Sequence, residues 1–440
     1  MLRFGLNSPD IRGLAGALLF TLPVLAGCAH NPGMQQVEHH LARGETGTAL
    51  TLAERTIQAG RDEALLALHR GMILRIAGEY EQSIEAFDAA MDIIGELEAT
   101  SLSEAAAGLA VSEQIGAYNG ALHERILLHV YQALNYLESG QTNAALVEAR
   151  RIDFGLRRID NRFGRAPHGG DAFARLLAGL IYEHHGEYSD ARISLRKALA
   201  VYDAYPDDQP APRELLRRLA LLSERDGLSD EAREYRQRLA EQPRPLPTDH
   251  GEVFIILHNG LAPALESHSL TVQDFTTGYY YRIALPGLRL RGIAATRAVA
   301  STGEHGAASE PVENIESIAR RDLDAALPGL QARAIARNVA RHQASRAVSE
   351  ESETLALLLN FFATAAEQAD TRNWRTLPAS LHLLRLPLPA GTYDIEVELH
   401  GTGGVSPQQR VLDNVEIRPG EMRFHSLHWI PPDFQARRTP

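Results

Sequence analysis

Five times in the first 242 residues a glycine turn separates two runs of helix-forming residues. The turns are Arg43-Gly44-Glu45, Ala77-Gly78-Glu79-Tyr80, Ser139-Gly140-Gln141, His185-Gly186-Glu187-Tyr188 and Asp226-Gly227-Leu228. Glycine reaches the left-handed backbone conformation that commonly ends a helix. Five residues after four of these glycines stands an alanine, at Ala49, Ala145, Ala191 and Ala232, and Ser83 holds that place after Gly78. A small side chain there lets the two helices of a hairpin approach closely. A chain built this way is predicted to stack its hairpins, since one pair cannot bury its apolar faces alone.

The pattern resembles the tetratricopeptide repeat. Residues 172–205 carry the resemblance best, through Gly179, Tyr182, Gly186, Tyr188, Ala191, Ala198 and Leu199. Residues 64–97 follow with Gly71, Gly78, Tyr80, Phe87 and Ala90, and residues 126–153 match more weakly. Successive turn glycines lie 34, 62, 46 and 41 residues apart, so only the first interval keeps the 34-residue period of the family. The array is therefore irregular, with insertions near 97–123 and 155–170.

Arrays of this kind leave a concave surface suited to a peptide or protein. Tyr182 is predicted to line that channel. Arg157 and Arg158 belong to a basic cluster, with Arg150, Arg151, Arg162 and Arg165, in an otherwise acidic chain. Two readings fit it: a receptor for an acidic peptide or phosphate-bearing glycan, or a solvated helix face with local ion pairs.

The start of the chain constrains its location. Arg3 and Arg12 precede an apolar run from Leu14 to Leu25, of secretory length and too short to span a bilayer. Leu25-Ala26-Gly27-Cys28 closes it, and Cys28 is the only cysteine in 440 residues. This stretch resembles the bacterial lipoprotein signal. The resemblance implies removal of residues 1–27, acylation of Cys28 with chains such as palmitate, and anchorage of the mature body. Ala29, where Asp favours inner-membrane retention in enterobacterial relatives, implies the outer membrane with the body in the periplasm.

The whole chain has a net charge of -12, and residues 1–27 contribute +1 through Arg3, Arg12 and Asp10, leaving -13 for the remainder. That excludes a nucleic-acid partner and a polybasic grip on anionic lipid across the body as a whole.

Pro243-Arg-Pro-Leu-Pro-Thr-Asp-His-Gly251 is predicted to be a semi-rigid linker between residues 28–242 and residues 252–440. Beyond it the texture turns to strands: Val253–His258, Thr276–Leu285 with a Pro286-Gly287 turn, Ser380–Leu386, Tyr393–His400, Val411–Ile417 and Met422–Trp429. Helices are predicted over 312–347, broken near Pro328, and over Glu350–Ala369. The fold class is α+β: an N-terminal α-solenoid of tetratricopeptide-like helical hairpins, then a smaller antiparallel β domain with inserted helices. With its signal, its irregular repeats, Val253–Pro263 and Ala369–Pro378, the chain resembles a family of uncharacterised bacterial lipoproteins. The resemblance implies location and architecture and no chemistry.

Asp370–Pro378 is the most distinctive stretch of the second half. Arg372, Trp374 and Arg375 form a recognition patch on one reading, since Trp and Arg dominate binding hot spots. On the other, Trp374 is core and Arg372 pairs with Asp370. The histidine spacings show no metal motif, and no nucleophile elbow or phosphate loop occurs. The chain is thus read as a non-enzymatic adaptor or scaffold without cofactor or metal, binding an envelope protein or peptide. The alternative is a glycan-binding accessory in peptidoglycan or surface-polysaccharide synthesis or export, with Trp374 or Trp429 as an exposed platform.

Overall fold

The computed structural model describes residues 32–104, 116–163, 171–205, 209–273, 280–291, 295–349, 368–401 and 407–431. Cys28 and residues 350–367 of the helix predicted over Glu350–Ala369 lie outside them, and residues 368–369 are not helical.

The first half folds as five helical hairpins. They are α1 (Pro32–Ala42) with α2 (Thr46–Thr56), α3 (Glu63–Ile76) with α4 (Tyr80–Glu104), α5 (Leu122–Glu138) with α6 (Thr142–Phe163), α7 (Asp171–His184) with α8 (Tyr188–Ala204), and α9 (Arg213–Arg225) with α10 (Ser229–Leu239). All five turn glycines adopt positive φ, from 70° to 83°. The small residues five positions on, Ala49, Ser83, Ala145, Ala191 and Ala232, are fully buried. Gly71 shows why: a Cβ there would stand 2.3 Å from the Phe87 ring of the second helix. The insertions act in part by lengthening second helices, since α4 runs 25 residues and α6 runs 22.

The second half supplies two four-stranded sheets. The central sheet has the order β10-β1-β7-β6, from β1 (His250–Asn259), β6 (Glu310–Asn314), β7 (Ser380–Pro389) and β10 (Met422–Trp429). The far sheet has the order β5-β4-β8-β9, from β4 (Ala295–Thr302), β5 (His305–Ala308), β8 (Gly391–Gly401) and β9 (Gln408–Ile417). A separate hairpin pairs β2 (Ala264–Gln273) with β3 (Tyr280–Arg289). One long helix, α11 (Ile315–Ser349), packs on that hairpin.

The domain is not wholly antiparallel. β1 and β10 pair in parallel, Phe254 with Phe424 and His258 with His428, because the last strand returns beside the first across the whole domain. Two local expectations also fail. Pro286-Gly287 lies inside β3, opposite Ser267 and Glu266, in a two-stranded ribbon whose far edge needs no donor from proline. Helix α11 runs through Pro328, which is exposed on the same face as Asp324, so water can take the freed carbonyl.

The layers are array, central sheet, far sheet. Alternate residues of β1 serve different cores. Val253, Ile255 and Leu257 meet Ile395, Val397 and Leu399 of the far sheet. Phe254 and Ile256 join Leu381, Leu383 and Phe424 in one apolar cluster with the helical array. β8 is buried only on its Ile395, Val397, Leu399 face and solvated on its Asp394, Glu396, Glu398 face.

Candidate functional site

The concave face of the array is occupied by the chain's own central sheet. The first helix of each hairpin contributes to the seam. From α1, Glu38 accepts from Arg375 at 2.7 Å and from Arg291 at 2.8 Å. From α3, His69 pairs with Thr376 at 3.0 Å and Arg75 donates to Ser426 at 2.5 Å. On α5, Glu124 accepts the Trp374 backbone N–H at 2.7 Å, and the Tyr131 hydroxyl meets His258 at 3.3 Å. At α7, the Phe173 N–H donates to Glu313 at 3.0 Å. On α9, Arg218 donates to Glu252 at 2.5 Å. The edge strand β6 is capped as well, since Tyr202 donates to the Val312 carbonyl at 2.7 Å and Gln209 to the Pro311 carbonyl at 2.5 Å.

Asp370–Pro378 lies in this seam much as a bound peptide would. Trp374 is fully buried, edge-on to Phe87 and Tyr131 at centroid distances of 5.6 and 5.8 Å. Arg372 bridges Asp370 and Asp62, each at 2.6 Å, and also donates to the Gly116 carbonyl. These residues are turned toward this same chain, in line with the reading that put Trp374 in the core and paired Arg372 with Asp370. None of Arg372, Trp374 and Arg375 is presented to an external partner. The glycan platform fails on the same ground, because Trp374 and Trp429 are 0% and 3% exposed.

Tyr182 also lies elsewhere than expected. It is 4% exposed, and its hydroxyl donates to Asp153 of α6 at 3.0 Å. Burial, then the Asp153 charge, pushes its pKa up. It fastens neighbouring hairpins and lines no open channel.

The seam is electrostatically demanding. Arg218 donates to Glu214, Glu183 and Glu252 at 2.7, 2.8 and 2.5 Å, with Arg385 also on Glu252. Burial pushes the Glu252 carboxyl up, but Arg218 and Arg385 overcome it and hold the pKa below the ordinary value. Glu183 ends above it because burial outweighs its share of Arg218. His258 and His428 stack at 4.3 Å, and burial drives both well below the ordinary histidine range, so both are neutral. Among the described residues no three His, Cys, Asp or Glu side chains gather as a metal set.

The outer face is open. Between α4, α5 and α6 lies a cleft of about 220 Å³. Its floor is apolar, from Met91, Ile94, Leu122, Ile126, Leu128 and Ile159. Two helical glycines shape it: a Cβ at Gly95 would meet nothing within 4 Å, and one at Gly155 would touch Ile126 at 3.0 Å. On the rim Glu98 pairs with Arg125 and, at 3.3 Å, with Arg158. Arg157 is exposed one residue away and donates to the Asp153 carbonyl at 3.2 Å. Of the basic cluster, Arg150 and Arg151 are likewise in local ion pairs, with Glu187 and Glu148. Beside the cleft, Val147 and Phe154 stand two turns apart on α6 at 45% and 59% exposure. This cleft suits an apolar side chain flanked by polar backbone. Sequence reasoning named Arg158 but missed Met91, Ile94 and Ile126; the helix-interior Gly95 and Gly155 were the available signal.

No protein-family model and no curated protein matches this chain. Among solved structures, MamA AMB-1 matches at 15% identity, covering 47% of this chain and 88% of that one, with a TM-score of 0.29. MamA 41-end from Desulfovibrio magneticus RS-1 matches at 14% identity, covering 47% and 91%, with a TM-score of 0.31. Likenesses at this level say nothing of function.

Proposed function

We propose that this chain is a lipid-anchored protein of the cell envelope, held in the outer membrane through Cys28 with its body in the periplasm. It acts as a non-catalytic scaffold that binds a protein partner on the outer face of its helical array. The observation that carries this reading is the contrast within the array. Its concave face is filled by the central sheet, while its outer face keeps the cleft and Phe154 open. The partner contributes an apolar side chain to the cleft, with Arg157 and Arg158 at the edge to meet a carboxylate.

A photocrosslinking residue at Phe154, in cells with the native envelope, tests the scaffold. A discrete protein adduct at Phe154, absent when the crosslinker replaces Val411 of the far sheet, is the expected result. No adduct at Phe154, or the same adduct at both positions, refutes it. Metabolic labelling with palmitate tests the anchor separately: label is expected on the wild-type chain and lost in Cys28→Ala, and an unlabelled wild-type chain refutes it.

A further inference from the structure

An arm of the second half carries an amphipathic helix turned inside out. It comprises the β2–β3 hairpin and the outer half of α11, residues 331–349. Asn338 of α11 donates to the Arg282 carbonyl of β3 at 3.1 Å, and Arg282 stands opposite Thr271, near the hairpin's far end. On α11 the residues turned inward include Arg337 and Asn338, both 8% exposed. With Ala334 also buried on that side, those turned outward include Ala332, Ile335, Ala336, Val339 and Ala340, at helical spacing on one face, and Gln331 and Arg333 beside them. Ile335 and Val339 are 53% and 48% exposed, and Leu270 on the hairpin is 64% exposed. These are the side chains a soluble helix normally buries.

Chemistry and position favour a lipid surface as the occupant. Residues 331–349 contain no carboxylate, within a chain of net charge -12, and Arg333 among them is exposed. Glu350, Glu351 and Glu353 end that carboxylate-free run, so the attraction is apolar first and electrostatic second. The arm's base is fastened to the anchor end of the molecule: Arg291, two residues past β3, pairs with Glu38 of α1 at 2.8 Å. Helix α1 begins four residues after Cys28, a span of at most about 14 Å. Each hairpin strand reaches about 33 Å. Three exposed aliphatic side chains are far short of the roughly 800 Å² per partner that a stable dimer needs. They suffice as a second membrane contact, because an anchored chain meets the bilayer at high effective concentration.

We infer that the end of this arm, through Leu270, Ile335 and Val339, inserts into the interface of the bilayer that holds Cys28, so the body lies against the membrane at two points. This rests on the anchor reading, and the experiment separates the two. Acylation leaves no free thiol, so single cysteines at Val339, Leu270 and, as control, Val411 can each take an environment-sensitive fluorophore on the purified full protein. The proteins are placed in phosphatidylethanolamine–phosphatidylglycerol vesicles. An intensity rise of about two- to fivefold is expected at Val339 and Leu270. No rise is expected at Val411, and the added change Ile335→Glu should abolish the rise at Val339. Equal signals at all three positions, or none, overturn the inference. So does brightening without vesicles that grows with protein concentration, which would mean that a second copy covers the face. If Cys28 itself takes the dye, the anchor reading fails, and the same labels on residues 29–440 with added vesicles decide the arm alone.

Discussion

The two faces of the helical array show how one scaffold is used twice. The concave face, where arrays of this kind hold ligands, is closed by a covalently attached one. Trp374 is fully buried there, and Glu38 and Glu124 from two helices and Asp62 from the turn before α3 receive Arg375, the Trp374 N–H and Arg372. On the opposite face the second helices leave Val147, Phe154 and Ile193 exposed, and α5 shares in the cleft beside them. Binding chemistry spent inside the molecule fixes its shape, while the opposite face keeps large apolar side chains open to solvent.

The sharpest way to break this contrast is to truncate one aromatic on each face. Trp374→Ala should cost about 3–5 kcal/mol, because the cavity opens between two layers that have no other way to close. Phe154→Ala should stay within about 0.5 kcal/mol. Chemical denaturation of both variants measures the pair. Equal losses would mean that the seam is not a shared core. A single transition for the array and the β domain is expected in the wild type, and separate transitions would show that the halves stand apart.

Arg218→Met should cost about 3 kcal/mol, because it leaves Glu214, Glu183 and Glu252 short of a counter-charge in the seam. Reversing an exposed pair such as Arg233 with Asp230 should cost no more than about 0.5 kcal/mol. Denaturation midpoints at low and high salt separate the two, since only the exposed pair is screened.

Acid should open the seam before it touches the outer face. In the seam burial lowers the His69 pKa to about 3, with His258 and His428 shifted the same way, and on the other face of β7 burial lowers that of His382 to about 4. A histidine depressed in the fold contributes stability that is complete above its unfolded pKa near 6.5 and is lost as pH falls toward the folded value. Each one steepens the acid limb by up to about 1.4 kcal/mol per pH unit. His123 has the opposite sign: its pKa is raised, with burial opposing and the hydrogen bond that it donates to Asp322 prevailing, so its contribution is lost as pH rises. Melting temperatures from pH 8 to pH 5 should therefore fall, and His69→Gln should flatten the fall. A curve unchanged by His69→Gln would remove that residue from the account.

Much of the fold was legible in local spacing. The glycine-plus-five rule located all five hairpins, because helix ends and close packing are decided within a few residues. The alternation Tyr393-Asp-Ile-Glu-Val-Glu-Leu-His400 announced a strand with one wet face. Less legible was what lies across the seam. The unbroken apolar run Val253-Phe-Ile-Ile-Leu257 signals a strand buried on both faces, yet nothing local says that one of those faces meets helices, through Arg218 34 residues before Glu252 and Tyr131 127 residues before His258. The same holds for Trp374: a hot-spot composition carries no address. β2, β4 and the inverted face of α11 were missed because polar and small residues interrupt their periods.

The parallel pairing of β1 with β10 has a consequence for biogenesis. The central sheet is completed only by residues 422–429 of 440, while the surface it must cover is finished by residue 225. Some two hundred residues are delivered between those events, and at ordinary synthesis rates that is about 10–40 s. Throughout that interval the young array offers an apolar hollow with no lid. A chain made N-terminus first therefore passes its most adhesive moment after the repeats have formed and before its final strand arrives, and that is when a chaperone has something to hold.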